Sequence, residues 1–359
     1  MTTPLIRVLL VDDSPVALEG LGRILSTDPA IQVVGKAKNG EEALRLMPMV
    51  RPTIVCTDYF MPVMDGLELT RRIMAWRPCP VLVISGKLDL SESKNLFSLL
   101  EAGALDCLKK PVIVDPAAPE VKAFIERVRV LSGVFVLRKQ HKPLEEKAGT
   151  GVGMAIPSFS LPFESPARVS SSSYKVIVIG ASTGGPVAMK TILKRLPRDF
   201  PVPILYVQHI GVDFLDGFVN WIKANTCLTV KVPSGKEMLE PGTLYMPKGN
   251  ANLQIVGNRW IASIPPPPGQ HCPCIDVTME SVAENFNSQS IGILLTGIGI
   301  DGAKGLLAMH AKGAVTVAQE RNSCVVFGMP AKAMEWGAAE WVLDLDQIGT
   351  WLSKSLCSS

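Results

Sequence analysis

Val176-Ile-Val-Ile-Gly-Ala-Ser-Thr-Gly-Gly-Pro186 is the stretch that decides the fold of the second half of the chain. A short branched apolar run without polar alternation reads as a strand buried on both faces, hence part of a parallel sheet. The small residues that follow allow a tight turn, and a proline in the first helical turn is favourable because its missing N–H would have no partner there. Two more apolar runs end the same way, Ile204-Leu-Tyr-Val-Gln-His209 and Ile291-Gly-Ile-Leu-Leu-Thr-Gly-Ile-Gly-Ile-Asp301. In an open α/β sheet, ligands bind outside the carboxyl ends of the strands. Ser182, His209 and Asp301 therefore reach one edge, and a hydroxyl, an imidazole and a carboxylate at one edge are the parts of an acyl-transfer triad.

Each residue alone has a plainer reading. Ser182 and Asp301 both precede helices and can serve as N-caps, and a strand-end histidine is often structural. The pattern Gly180-x-Ser182-x-Gly184 matches a nucleophile elbow, yet the chain order Ser…His…Asp differs from that of the α/β-hydrolases. A dinucleotide site needs an acidic residue at the end of the next strand, which here ends Val207-Gln208-His209. The helix N–H groups after Ser182 are candidates for an oxyanion hole. Of the four histidines, His141 lies at a linker entrance, His271 in a proline-rich loop and His310 in a helical pattern; His209 alone ends an apolar strand.

Working outward, 359 residues suggest two domains. Residues 1–131 hold five apolar runs, Ile6–Val11, Gln32–Ala37, Thr53–Thr57, Val81–Ser85 and Asp106–Lys109, separated by helical patterns, which predicts a doubly wound parallel sheet. Asn39 before Glu41-Glu42 predicts an N-cap with an acidic first turn. Residues 132–173, rich in Gly, Pro and Ser, read as a flexible linker. Residues 174–359 form the second βα series, with a hairpin predicted around Val256-Gly-Asn-Arg259 and a stiff loop at Pro265–Pro268. A net charge of +3 without a Lys/Arg block argues against a nucleic-acid partner. The N-terminus lacks signal-peptide features, and the first apolar run stops at Asp12-Asp13, short of the roughly 20 residues that span a bilayer. Most of the eight scattered cysteines, Cys56, Cys107, Cys227 and Cys324 among them, lie in apolar patterns expected of buried reduced thiols, so a cytoplasmic location without membrane insertion is expected. Cys272-Pro-Cys274 beside His271 lacks the second ligand pair of a zinc site.

In the first half, Asp12 and Asp13 follow the first strand and Asp58 follows the third, neighbours at the switch point of a doubly wound sheet. Crowded carboxylates repel unless a cation joins them, and an all-oxygen set suits Mg²⁺. Ser85 and Lys110, at the ends of the fourth and fifth strands, are placed to contact phosphate oxygens. The set Val11-Asp-Asp13, Asp58-Tyr-Phe-Met-Pro-Val-Met-Asp-Gly66, Ser85 and Lys110-Pro111 resembles the receiver domain of two-component response regulators, over residues 5–131. The resemblance implies a flavodoxin-like fold, phosphate accepted by Asp58 from a histidine kinase, and Mg²⁺ held by Asp13, Asp58 and the carbonyl of Phe60, with Asp12 assisting through water. Cys107 stands where receivers often carry an aromatic switch residue.

The stretches Ile179–Pro186, Val207-Gln-His209, Leu295–Ala303 and Val325-Val-Phe-Gly-Met-Pro330 resemble the catalytic domain of chemotaxis-specific protein-glutamate methylesterases, a Rossmann-like fold. That resemblance implies Ser182 as nucleophile, His209 as general base and acid, Asp301 as its orienting partner, and Thr183 and the backbone near Ile298 beside the oxyanion. It implies hydrolysis of glutamate methyl esters, and deamidation of glutamines, in chemoreceptor cytoplasmic helices, with Mg²⁺ for the receiver and no cofactor for the esterase. Three positions depart from the family pattern: Ile298 replaces a methionine, and Cys272 and Cys274 replace an arginine and a serine around Pro273. The same hydrolase serving another receptor-like array and a non-catalytic phospho-dependent adaptor are the competing readings; an intact Ser182–His209–Asp301 set argues against the adaptor. The unphosphorylated receiver is expected to cover the catalytic strand edge.

Overall fold

The computed structural model describes residues 5–86, 93–111, 115, 117–136, 174–257, 259–267 and 272–357. The first half alternates β1 (Ile6–Val11), α1 (Pro15–Ser26), β2 (Ile31–Ala37), α2 (Gly40–Val50), β3 (Ile54–Thr57), α3 (Gly66–Trp76), β4 (Val81–Ser85), α4 (Ser93–Ala102), β5 (Asp106–Lys109) and α5 (Pro119–Ser132). The strand order β2-β1-β3-β4-β5, parallel throughout, is flavodoxin-like. The period of two along β1 explains the layering. Val8 and Leu10 pack with Leu25 of α1 and Phe124 and Val128 of α5, while Leu9 and Val11 pack with Met47 of α2 and Ile73 of α3 on the other face. Each such fully buried side chain contributes about 1.5–3 kcal/mol. Asn39 caps α2, its side-chain oxygen accepting from the Glu42 N–H at 2.9 Å.

The second half runs β6 (Val176–Ala181), α6 (Gly185–Leu193), β7 (Ile204–Gln208), α7 (Val212–Ala224), β8 (Thr229–Lys231), β9 (Glu237–Met238), β10 (Thr243–Tyr245), β11 (Asn252–Ile255), β12 (Trp260–Ile264), α8 (Ile275–Phe286), β13 (Ser290–Leu294), α9 (Ala303–Ala311), β14 (Val315–Gln319), α10 (Met329–Glu335), β15 (Trp341–Leu343) and α11 (Leu345–Cys357). Seven strands form a parallel sheet in the order β15-β14-β13-β6-β7-β10-β8, and β11-β12-β9 form a small antiparallel sheet that contains the predicted hairpin. Ile177 and Ile179 of β6 pack with Met189 of α6 and Phe218 of α7; Val176 and Val178 pack with Met279 of α8 and Leu306 of α9.

Residues 137–173 of the expected linker, His141 within them, and the expected loop residues Pro268 and His271 lie outside the described residues. All eight cysteines are free, but Cys227 is exposed, against expectation, because it falls in the turn between α7 and β8. Among the described residues no helix is long and apolar enough to cross a membrane.

Candidate active site

The order β13-β6-β7 brings the three expected residues to adjacent strand ends. Ser182 follows β6, and its backbone is fixed from both sides. Its N–H donates to the Thr296 carbonyl at 3.0 Å, and its own carbonyl accepts from the Gly185 N–H at 2.8 Å and from Gln208 Nε2 at 2.7 Å. Gly184 has φ 80°, in the left-handed region, and a Cβ there would lie 2.6 Å from Val325. A Cβ on Gly297 would lie 2.6 Å from the Ser182 Cβ, so the glycine-rich loop after β13 can approach the serine only without a side chain. Buried Tyr206 donates to Gln208 Oε1 at 2.7 Å and so orients the amide that supports the Ser182 turn.

His209 follows β7, its N–H donating to the Ala181 carbonyl at 3.0 Å. Its Nε2 lies 2.7 Å from Asp301 Oδ2. Asp301 is not the N-cap of the helix that follows it; Gly302 is, with φ 88°. The carboxylate instead crosses to the start of α8. There Oδ2 accepts from the Ile275 N–H at 2.8 Å and Oδ1 from the Asp276 N–H at 3.0 Å, with Gly302 N–H also 3.0 Å from Oδ1. Burial alone would raise its pKa. The bond and charge of His209, with the N–H groups of Asp276 and Ile275, outweigh that and hold the carboxyl well below the usual carboxylate range. Asp276 is pushed the other way, up to about 6, by burial and by the charge of Asp301, against the Gly305 N–H that it accepts at 2.6 Å.

Ser182, His209 and Asp301 line one cavity of about 740 Å³, together with Ile298 and Cys272. Its opposite wall belongs to the first half of the chain: Leu105, Asp106, Cys107 and Leu108 around β5, and Ala123, Glu126 and Arg127 of α5. Thr183 is buried, and its hydroxyl donates to Asp106 Oδ2 at 2.6 Å; Arg127 Nε lies 2.9 Å from the same oxygen. Around this contact Phe97 of α4 stacks on Phe218 and Trp221 of α7, with centroids 5.3 and 5.4 Å apart. Glu101 accepts from Lys190 and from Trp221 Nε1, and Lys109 pairs with Asp213 at 2.7 Å. Ile298 packs with Val325 and Val326 against the apolar layer that includes Phe124.

In the first half, ligand oxygens of Asp12, Asp13 and Asp58 all lie within 4.8 Å of one another. Lys110 Nζ reaches Asp12 Oδ2 at 2.6 Å and Asp58 Oδ2 at 2.8 Å. Asp58 Oδ1 accepts from the Tyr59 N–H at 2.7 Å. Burial raises the Asp58 pKa, with Asp12 adding to the rise and Lys110 opposing it. Burial also works against the charge on Lys110, but Asp12 and Asp58 outweigh it and raise the lysine's pKa. Three carboxylates and one ammonium leave a net negative, all-oxygen cluster, which fits a hard dication such as Mg²⁺. Ser85 is buried at the end of β4 and Phe60 is exposed on the loop after Asp58. Gly66 is required at the start of α3, since a Cβ there would lie 2.3 Å from the Asp58 carbonyl oxygen.

Sequence reasoning missed two partners of the site. Asp106 gave no signal, because its role depends on how the two halves pack. Cys274, whose Sγ lies 3.2 Å from Asp301 Oδ1, stood out only as a departure at that position.

The CheB methylesterase family matches residues 177–352, and the response regulator receiver domain family matches residues 8–118. A protein-glutamate methylesterase/protein-glutamine glutaminase of Geobacter metallireducens is 36% identical over 355 residues, covering 97% of this chain and 98% of its own. One from Methanospirillum hungatei is 37% identical over 351 residues, covering 97% of each. The crystal structure of the Thermotoga maritima CheB methylesterase catalytic domain is 34% identical, covering 50% of this chain and 98% of its own, with a TM-score of 0.48.

Proposed function

The chain belongs to the protein-glutamate methylesterase/protein-glutamine glutaminase family, hydrolases of two-component chemotaxis signalling, and from that premise we propose that Ser182, His209 and Asp301 are its catalytic triad, controlled by phosphorylation of Asp58. In this reading residues 1–131 are the receiver, 132–173 the linker and 174–359 the catalytic domain. The observation that carries it is the 2.7 Å contact between His209 Nε2 and Asp301 Oδ2 on the wall of the cavity that Ser182 also lines.

With Nε2 committed to Asp301, Nδ1 is the nitrogen that serves Ser182. Ser182 Oγ attacks the ester carbonyl carbon as His209 takes its proton. The tetrahedral intermediate collapses, the bond to the methoxy oxygen breaks, and methanol leaves with the proton from His209. Water, deprotonated by His209, then attacks the acyl-serine; the glutamate carboxylate departs and Ser182 recovers its proton. A glutamine side chain follows the same course with ammonia as leaving group. Asp301 stays ionised and stabilises the imidazolium formed at each transfer, which its depressed pKa supports. Thr183 and the backbone at Ile298 flank the oxyanion.

A histidine kinase is the phosphodonor, and methylated glutamates on chemoreceptor cytoplasmic helices are the substrate, which places the enzyme in the cytoplasm. Asp12, Asp13 and Asp58, with the Phe60 carbonyl, would hold Mg²⁺, which when bound neutralises charge on the incoming phosphoryl group. Ser85 and Lys110 hold the phosphoryl oxygens. The receiver restrains the unphosphorylated enzyme. Ser182 is 2% exposed and Asp106 occupies the hydroxyl of Thr183, an arrangement too closed for a receptor helix. Phosphorylation at Asp58 must favour a more open arrangement of the two domains to shift the population. Methanol release from methylated receptor membranes, with and without a small phosphodonor, tests the reading. Wild type should release methanol faster with the donor, and Ser182→Ala should release none while keeping its thermal transition. Wild-type turnover by Ser182→Ala defeats the assignment.

A further inference from the structure

Asp301 receives five donors: His209 Nε2, the N–H groups of Ile275, Asp276 and Gly302, and the thiol of Cys274 at 3.2 Å from Oδ1. Three are backbone groups that come with the fold, and the imidazole is the partner that reacts. The thiol is the remaining donor, and its geometry is specific. Cys274 occupies the N-cap position of α8; the carboxylate of Asp301 caps that helix by accepting from the Ile275 and Asp276 N–H groups, and the thiol turns toward its Oδ1. The Cys274 backbone is pinned in turn, its N–H donating to Asn252 Oδ1 at 2.7 Å from the buried Asn252 of β11.

We propose that Cys274 is a positioning residue for the hydrolysis, its S–H fixing the carboxylate plane of Asp301 so that Oδ2 faces His209 Nε2. Backbone N–H groups hold both oxygens, and each further donor narrows the remaining rotation about the Cβ–Cγ bond. A side-chain donor on Oδ1, opposite the oxygen that meets the imidazole, resists that rotation. Burial and the neighbouring charge of Asp301 push the thiol up to about 12, so it stays a donor throughout the physiological range. A thiol is a weak donor and a hydroxyl a stronger one.

This inference rests on the triad reading, and the experiment separates the two. Methanol release is measured on the phosphodonor-treated full-length chain for wild type, Ser182→Ala, Cys274→Ala, Cys274→Val and Cys274→Ser, each with its thermal transition. Cys274→Ala and Cys274→Val should lose about three- to tenfold in kcat, the worth of one hydrogen bond from a weak donor, with KM within about twofold of wild type. Cys274→Ser should match or exceed the wild-type kcat. Valine fills the space of the thiol without donating, so it decides the matter if alanine lowers the thermal transition. Wild-type kcat in Cys274→Val overturns the proposal, as does a serine variant as slow as the valine one, or a rise in KM at constant kcat. If Ser182→Ala itself turns over, the triad reading fails whatever Cys274 does; if it is inactive and Cys274→Val is not slowed, only the positioning role fails.

Discussion

Asp58 and Asp301 are both carboxylates at the carboxyl edge of a parallel sheet, one following β3 and the other following β13, and their surroundings act in opposite directions. Asp58 stands among other carboxylates and meets one ammonium, shared with Asp12, so burial raises its pKa. Asp301 stands at a helix start among donors, so its pKa falls although it too is buried. Burial is therefore not what distinguishes the two. The count and sign of the partners decide whether a buried carboxylate is left needing positive charge from outside or is already satisfied. The first condition suits a group that binds a dication and accepts a phosphoryl group; the second suits one that must stay anionic through a catalytic cycle.

The largest expected effect breaks this contrast at both ends. Asp301→Asn keeps the size of the side chain but can no longer hold the imidazole in the right tautomer, and kcat for methanol release should fall about 10⁴-fold, as for other triads. Asp58→Asn should instead remove covalent labelling by a small phosphodonor with Mg²⁺ and abolish the donor's stimulation of methanol release. Labelling that persists in Asp58→Asn, or that ignores a chelator, would show that the carboxylate cluster is not a phosphoacceptor site.

A smaller effect is expected where the two regions touch. Asp106 accepts from Thr183 at 2.6 Å beside Ser182, and Phe97 stacks on Phe218 and Trp221 nearby. Interfaces between domains of one chain are usually modest and move readily. Removing one charged acceptor should therefore open the cleft for a larger share of the time. Asp106→Ala in the full chain should raise methanol release without phosphodonor by about three- to tenfold, the worth of one hydrogen bond, and narrow the further gain from the donor. A basal rate equal to wild type, with stimulation intact, would show that this contact does not hold the closed arrangement.

The strands of both halves were legible because each is a short apolar run broken by turn residues. All five N-terminal strands fall within one residue of the runs read from Ile6–Val11 to Asp106–Lys109. The co-location of Ser182, His209 and Asp301 was legible for the same reason, since strand ends share an edge whatever lies between them. What was not legible depends on contacts between segments far apart in the chain. By its place in the sequence Asp301 could also have capped its own helix, yet it caps α8, which begins 26 residues earlier at Ile275, because β13 places the loop after it beside that helix start. Cys227 looked buried by its apolar neighbours, but a turn residue's exposure is set by what packs over it. Asp106 ended no motif; its partner Thr183 is 77 residues away in the other half.

The smallest effect concerns Asp276, which shares the start of α8 with Asp301 and lies on the opposite side of the electrostatic contrast. Its carboxyl is pushed from 3.8 to about 6, by burial first and by the charge of Asp301 next. The folded chain therefore binds a proton here that the unfolded chain releases, and stability falls as pH rises from about 4 through about 6. Asp301 has the reverse sign: its stabilisation is present above the unfolded carboxylate value and is lost as pH falls toward its depressed folded value. Asp276→Asn keeps an oxygen to accept the Gly305 N–H and carries no charge at any pH. Because Asp276 is partly open to water, the gain should be about 1 kcal/mol at pH 7.5, or about 2–4 °C in the thermal transition. The gain should be clearly smaller at pH 4.5, where the folded wild-type carboxyl is protonated, and it vanishes only below the unfolded value of 3.8. Thermal scans of both proteins across that range check the sign, and a stabilisation of equal size at pH 4.5 and 7.5 would mean that Asp276 carries no such proton.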